Sequence, residues 1–434
     1  LHPSKTLPEL RINDERLVAD FKELQFIGGT ENGGSSRVAL SPEDLTARDW
    51  FANRIEDAGL ELRDDDAGNL SGVYLSQQPH ARTLLVGSHL DSVPNGGHYD
   101  GVIGVLSALE CVRTLREAQV DLPLHVEAIN FTDDEGNYQP MFGCRALSGL
   151  ISPAALSDLE MDNGPFRAAM LRAGMMPSRA HYARRRPQDL AGYLEVHIEQ
   201  GVRLERAGKP IGVVQGIVGR TNYEFTFIGE AGHSGTTDMY KRRDAMRGAA
   251  LFIVRAHDLV REKYGDGVFN CGAVEVYPGG FNVIPREARL AIEVRHINEM
   301  LLNEMETAII SLARECATSF RLEVMPRLLT HYTAAAMHPQ ATTAFRAACE
   351  LLGVKTLDLY SYSGHSAQFL STITPCGMVF IPSVGGVSHN HNEFSRWEDV
   401  VTGANVLLQA ILHYALPEES EALKNAPSSH QNSL

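Results

Sequence analysis

No two of the six cysteines, at 111, 144, 271, 316, 349 and 376, stand at C-x-x-C spacing. That absence argues against a zinc ribbon and against a disulfide framework, and it fits a reducing cytoplasm. No apolar run approaches the length that crosses a bilayer, so no membrane partner is expected. No signal peptide is visible at the N-terminus of the chain, which starts at Leu1. Positive charge is scarce: 39 Lys and Arg against 54 Asp and Glu leave a net charge of −15. A chain of that sign is not expected to bind nucleic acid, and an anionic substrate would need a local positive focus from metals or arginine. Repeats and low-complexity tracts are missing as well. What remains is the composition of an ordinary globular protein, 44% hydrophobic and 21% charged over 434 residues, long enough for more than one domain.

The chain is organised around Thr83–Glu110, T-L-L-V-G-S-H-L-D-S-V-P-N-G-G-H-Y-D-G-V-I-G-V-L-S-A-L-E. Leu84, Leu85 and Val86 form the short apolar run of a buried strand, which Gly87 ends. His89 and Asp91 follow, Asn95-Gly96-Gly97 makes a tight turn, and Asp100-Gly101 precede a helix carried by Val102, Val105, Leu106 and Leu109. A strand–loop–helix unit of this kind places His89 and Asp100 at the carboxyl end of a sheet strand, where open α/β sheets keep their sites. His and Asp there suit a divalent transition metal, with Asp91 holding the His89 ring in one tautomer. Taken alone, the stretch fits an ordinary capped polar loop equally well.

Glu15–Phe26 reads as a first helix. Ser41-Pro42-Glu43-Asp44 starts a second one, with Ser as N-cap, Pro at the first helical position and acids in the first turn, and it stops at Gly59. Leu124–Phe131 reads as a core strand running into Thr132-Asp133-Asp134-Glu135-Gly136. Acid runs ordinarily mark solvated faces or caps, but three acids directly after a core strand are hard to explain structurally. Pro140–Gly192 reads as mostly helical, with Arg184-Arg185-Arg186 as a solvated turn. Tyr193–Ile198 is a further strand, with His197 near its end and Glu199-Gln200-Gly201 after it. A single His in a strand is more often a core residue, but this one lies at another strand–loop junction carrying acids.

The pattern changes near Ile211. Asn222–Glu230 alternates as a half-exposed antiparallel strand does, with Tyr223, Phe225 and Phe227 on one side. A helix at Arg243–Lys263, strands at Gly272–Tyr277 and Ala288–His296, a helix at Glu299–Thr318 and a strand at Phe320–Met325 complete a small α+β domain. It is placed at 213–328, inserted into a discontinuous domain of residues 1–212 and 329–417. In that outer domain strands resume near Thr356–Leu359 and Met378–Ile381. The second leads into P-S-V-G-G-V-S-H-N-H-N-E, residues 382–393. A helix at Glu398–Tyr414 closes the fold, and residues 418–434 read as a disordered tail.

Four loops therefore carry candidate ligands: His89 with Asp100, Asp134-Glu135, His197, and His389. Three histidines and two carboxylates can hold two divalent metals with one carboxylate bridging, and such a pair activates water and polarises a carbonyl. A further acid beside them would serve as general base.

These motifs resemble the hydantoinase/carbamoylase branch of the dinuclear metal amidohydrolases, related to aminoacylases and zinc carboxypeptidases. Its members include N-carbamoyl-L-amino acid hydrolase, β-ureidopropionase and allantoate amidohydrolase. The resemblance runs from Ile27 to Leu412 and is carried by G-S-H-L-D-S-V-P-N-G-G, H-I-E-Q-G, A-G-H-S-G-T-T, N-V-I-P and P-S-V-G-G-V-S-H. It implies an α/β, zinc-peptidase-like catalytic domain with a mixed central sheet and an inserted α+β lid and dimerisation domain. It implies two divalent ions per subunit (zinc, manganese, cobalt or nickel), one on His89, Asp100 and His197, the other on Asp100, Glu135 and His389. Asp134 takes the place of the family's general base. Gln200, His233, Asn282 and Arg295 match its substrate contacts, His233 also serving the oxyanion, and His365 falls in the same substrate-binding set. His391 lies off the motif position and is a bystander. A homodimer is implied, in which Arg295, Asn282 and His233 complete the partner's site.

The chain also departs from the family's usual residues. Asp134-Glu135 stands for Glu-Glu, the loop after it is shorter, Cys144 stands for Ser, Ser366 for the Asp of G-H-D-A, and Asp238 for Pro. Arg220-Thr221-Asn222 lacks paired arginines. The implied activity is hydrolysis of a linear amide or ureido C–N bond in a substrate bearing a carboxylate, foremost an N-carbamoyl-L-amino acid. An aminoacylase or dipeptidase on the same metals is one alternative. A binding homologue that has lost turnover is another, favoured only by Asp134.

Overall fold

A computed structural model describes residues 7–156 and 164–416. The expected tail at 418–434 lies outside the described residues. The chain divides into two compact units, one of residues 1–215, 336–359 and 365–434, the other of residues 216–335 and 360–364. No helix among the described residues is long and apolar enough to cross a membrane.

The first unit is built on a nine-stranded mixed sheet. Its strands are β1 (Glu61–Asp64), β2 (Leu70–Tyr74), β3 (Thr83–His89), β4 (His125–Phe131), β5 (Leu190–Ile198), β6 (Ile211–Ile217), β11 (Ala335–Ala336), β12 (Thr356–Ser361) and β13 (Cys376–Ile381). Four neighbours, β4-β3-β5-β13, run parallel. Antiparallel β2 flanks them on one side and antiparallel β6 on the other. The four parallel strands are buried along nearly their whole length, as covered parallel strands must be.

Helices α1 (Asp14–Phe26), α2 (Pro42–Asp57) and α3 (Val102–Glu117) belong to this unit. Ser41 caps α2 by accepting the Asp44 N–H at 3.2 Å. The first fourteen residues of α3, Val102 to Leu115, are all buried, the mark of a helix covered on every side. The segment between β4 and β5 holds only short helical pieces among its described residues, among them α4 (Phe142–Leu147) and α5 (Gly164–Arg172). Arg185, expected in a solvated turn, is instead drawn inward. Its guanidinium pairs with Glu127 on β4, with one N–O contact at 2.6 Å.

The second unit is a four-stranded antiparallel sheet in the order β10-β7-β9-β8. These are β7 (Gly219–Ile228), β8 (Val268–Tyr277), β9 (Glu287–His296) and β10 (Glu323–Tyr332). Alternate β7 residues are buried, so Tyr223, Phe225 and Phe227 face the core. There they meet Phe252 of α7 (Ala245–Lys263) and Leu302, Met305 and Ile309 of α8 (Glu299–Ser319). Each fully buried Phe contributes about 2–3 kcal/mol. Asp244 and Asn298 cap the two helices by accepting backbone N–H groups. The last strand begins later than expected, at Glu323 instead of Phe320. Phe320 ends α8, and Arg321 takes a left-handed φ of +57° that breaks the extended run.

Candidate metal centre

The parallel strands β4, β3, β5 and β13 deliver four loops to one edge of the sheet. His89 is the last residue of β3, His197 the penultimate residue of β5, Asp134 and Glu135 follow β4, and His389 lies in the loop after β13. The register fixes this alignment: His89 pairs with Phe131, and His197 with Phe380. Asp100 comes from the loop before α3.

Asp100 stands between two groups of ligand atoms. Its Oδ1 lies 3.1 Å from His197 Nε2 and 3.8 Å from His89 Nε2, and its Oδ2 lies 3.3 Å from His389 Nε2. Glu135 Oε2 is 3.5 Å from the same His389 nitrogen. His89, Asp100 and His197 form one cluster and Asp100, Glu135 and His389 a second, each with its ligand atoms within 4.8 Å of one another, and Glu195, His197 and His365 form a further group that Asp100 does not share. His391 belongs to none of them.

The tautomers suit metal binding. His89 Nδ1 donates to the Asp91 carbonyl at 2.9 Å, and His197 Nδ1 to the Ile198 carbonyl at 3.0 Å. That leaves each Nε2 as the ring atom facing Asp100, free to bind a metal once its proton is displaced. Asp91 does hold the His89 ring, and it carries a second task as well. Its backbone carbonyl fixes His89, whereas its buried carboxylate accepts the backbone N–H groups of Asp134 (3.3 Å) and Glu135 (3.2 Å). Asp91 thus ties the acid loop to the end of β3.

Electrostatics point the same way. Burial pulls the His89 imidazole down, but Asp134, Asp91, Glu135 and Asp100 outweigh it and push it up to about 10. Burial likewise opposes, and Asp100 and Glu195 raise, His197, which reaches about 9. Burial and the neighbouring Asp100 lift Glu135 to about 7. A cluster of buried acids that makes imidazoles hold protons is a field that divalent cations neutralise. The residues present therefore fit a metal.

A model of peptidase family M20/M25/M40 matches residues 85–413. The chain belongs to peptidase family M20/M25/M40. It is a hydrolase of that metal-dependent family. It is 37% identical over 409 residues to an N-carbamoyl-L-amino acid amidohydrolase of Geobacillus stearothermophilus, covering 94% of this chain and 100% of that one. It is 31% identical to the allantoate amidohydrolase of Escherichia coli, covering 91% and 95% of the two chains. Among solved structures, a hydantoinase/carbamoylase family amidase from Burkholderia multivorans superposes with a TM-score of 0.83 at 32% identity, covering 94% and 98%.

Within this M20 fold the remaining expected residues take varied places. Gln200 sits in a left-handed conformation (φ +56°) with Nε2 2.6 Å from Asp100 Oδ2, so it touches a candidate ligand directly. His365 is buried, with its ring packed edge-on 4.6 Å from that of His197. Burial and the His197 ring hold its imidazole well below the ordinary range. His233 and Asn282 lie together in the second unit on adjoining exposed loops, linked by Ser234 N–H to the Asn282 carbonyl at 3.0 Å. Arg295 lies elsewhere in that unit, near the far end of β9. Its guanidinium is engaged by Glu293 at 2.7 Å and by the Tyr362 carbonyl.

Sequence reasoning passed over Glu393, Ser388 and Glu195, and noted Ser366 only as a departure from the family's usual residue. Glu393 Oε1 accepts the backbone N–H groups of Tyr99 (2.9 Å) and Asp100 (3.0 Å), which fixes the loop that presents Asp100. Ser388 Oγ lies 3.0 Å from Asp100 Oδ2 and 2.8 Å from Glu393 Oε2. Glu195 could have been found, since it precedes His197 by two residues and so shares its face of β5. Glu393 carried no such local signal.

Proposed function

We propose that the chain hydrolyses the C–N bond of an N-carbamoyl-L-amino acid or a closely related ureido acid. It acts on a non-peptide amide or ureido bond, releasing the amine with ammonia and carbon dioxide. The observation that carries this reading is the pair of ligand clusters sharing Asp100 beside Asp134, in a chain 37% identical to an N-carbamoyl-L-amino acid amidohydrolase.

His89, Asp100 and His197 would hold one divalent ion, and Asp100, Glu135 and His389 a second, drawn from zinc, manganese, cobalt or nickel. Bound there, the ions supply Lewis acidity for the scissile carbonyl and lower the pKa of water. Asp134 takes the attacking water's proton and delivers it to the leaving nitrogen. His233 donates to the developing oxyanion, and Asn282 adds a neutral donor. Arg295 takes the substrate carboxylate bidentately, exchanging its contact with Glu293 for it.

The working form in this reading is a homodimer. The pair His233–Asn282 and Arg295 lie at opposite ends of the β7–β9 ladder, on the order of 25 Å apart at about 3.3 Å per residue. One small substrate cannot touch both ends of one copy, so two copies share the work. Strand β8 supports this: it is an edge strand, with Val274 and Tyr277 exposed and Phe281 fully exposed beyond its end. A cytoplasmic location accords with six free thiols, five of them buried.

The test is a panel of N-carbamoyl amino acids, allantoate and N-acyl amino acids with the metal-loaded protein. Ammonia and carbon dioxide are expected from ureido substrates. Release of a carboxylic acid from acyl substrates alone would overturn the reading in favour of an aminoacylase. Asp134→Asn should abolish turnover with metal content unchanged, and near-native activity in that variant would place the base elsewhere.

A further inference from the structure

Three of the chain's departures from its family's usual residues meet at one point. Asp134 stands where Glu is usual, Cys144 where Ser is common, and Ser366 where Asp is usual. They come from three segments: the loop after β4, helix α4, and the short helix α10 (Ser366–Leu370). Ser366 Oγ donates to Asp134 Oδ1 at 2.7 Å, and Ser366 and Asp134 are only 1% and 6% exposed. The buried Cys144 thiol, on the neighbouring helix, donates to the Met141 carbonyl at 3.3 Å. The second Asp134 oxygen, Oδ2, lies 3.7 Å from His89 Nε2.

We propose that Ser366 is a positioning residue for Asp134. An Asp carboxylate turns readily about its last torsion, which is broad and roughly two-fold. A hydroxyl donating to one oxygen removes that freedom and leaves the other oxygen facing the ligand cluster. The backbone of the same residue is already held by Asp91, so Asp134 is fixed at both ends. An Asp at 366 would instead set a second carboxylate against the first, and two acids in contact cannot both stay ionised. The serine supplies a donor with no competing charge. This rests on reading Asp134 as the base.

The test uses the metal-loaded full chain with Ser366→Ala, Ser366→Thr, Asp134→Ala and the Ser366→Ala/Asp134→Ala double variant. Ser366→Ala is expected to lower kcat about ten- to hundredfold, the scale of a misplaced catalytic group, with KM and metal content unchanged. Ser366→Thr keeps the hydroxyl and should restore most of kcat. A crystal structure of Ser366→Ala should show the Asp134 carboxylate turned from its present rotamer, and melting temperatures of the wild type, Ser366→Ala, Asp134→Ala and the double variant should be non-additive. Unchanged kcat in Ser366→Ala, or additive melting shifts with the carboxylate unmoved, would overturn the proposal. The structure and the melting cycle need no turnover. If the wild-type protein cleaves no ureido substrate while both show coupling, the substrate reading fails and the Ser366–Asp134 pairing stands.

Discussion

His89 can occupy its place because residue 101 has no side chain. Gly101 adopts φ +66°, and a Cβ there would lie 2.4 Å from His89 Nε2. Gly101→Ala therefore combines backbone strain with a clash against a ligand. The expected cost is about 1–3 kcal/mol of stability, read from denaturant unfolding, together with faster metal loss on dialysis. Asp100 is the residue whose two oxygens face both clusters, so Asp100→Ala should empty both by metal analysis. His391→Ala should leave metal content as it is. Two metals retained in Asp100→Ala would refute the bridging role.

At the scale of elements, β4 is tied to the segment before β5 by one buried ion pair. Glu127 is fully buried, and Arg185, Ser71 and Arg63 face it. Burial pushes its carboxyl up, but Arg185 and Ser71 more than offset this and hold it below its ordinary value of 4.5. A depressed carboxyl contributes stability that is present above the unfolded value and is lost as pH falls through the folded one. The pair should thus weaken only on acidification below about pH 4.5. Removing Arg185 leaves Glu127 with only Ser71 and the more distant Arg63, so Arg185→Met is expected to cost about 3 kcal/mol at neutral pH, the low end for a broken buried pair. The pH dependence should also invert. Without the guanidinium, burial raises Glu127, and the variant should regain stability as pH drops toward 5. Urea titrations of both proteins at pH 5 and pH 7 measure this, and parallel losses at the two values would show that Arg185 acts through packing alone.

For the whole molecule, the arrangement of the second unit makes a sharp forecast about assembly. Edge strand β8 should pair with its copy, so Val274→Lys, which would face like charge across a two-fold interface, should yield monomers by light scattering. Arg295 and the His233–Asn282 pair should serve different sites. Two hybrids test this, one mixing Arg295→Ala with His89→Ala subunits, the other mixing His233→Ala with His89→Ala. Only one hybrid should recover turnover, because a residue complements in trans only if it reaches across the dimer. Rescue in both hybrids would show that both groups reach across and would contradict their division between sites, whereas rescue in neither, while all parents dimerise, would contradict the shared site.

The candidate ligands were legible in the sequence because each lies at the end of a core strand or in the loop after it, and strand ends carry local signals: an apolar run, a glycine, a polar loop. Alternation in β7 likewise exposed the fold of the second unit, since a period of two needs no partner to be read. What only the tertiary structure decided are relations between distant segments. Arg185 reads as a solvated turn until Glu127, 58 positions away, appears beside it. Glu393 reaches the Asp100 backbone across 293 positions, and Ser366 reaches Asp134 across 232. Asp91 gains a second task in the same way: its carbonyl holds His89, and its carboxylate also holds the acid loop. Local patterns fix which residues stand at the carboxyl ends of strands. Which of those residues touch depends on strand order and register, and these follow from burying the whole sheet at once.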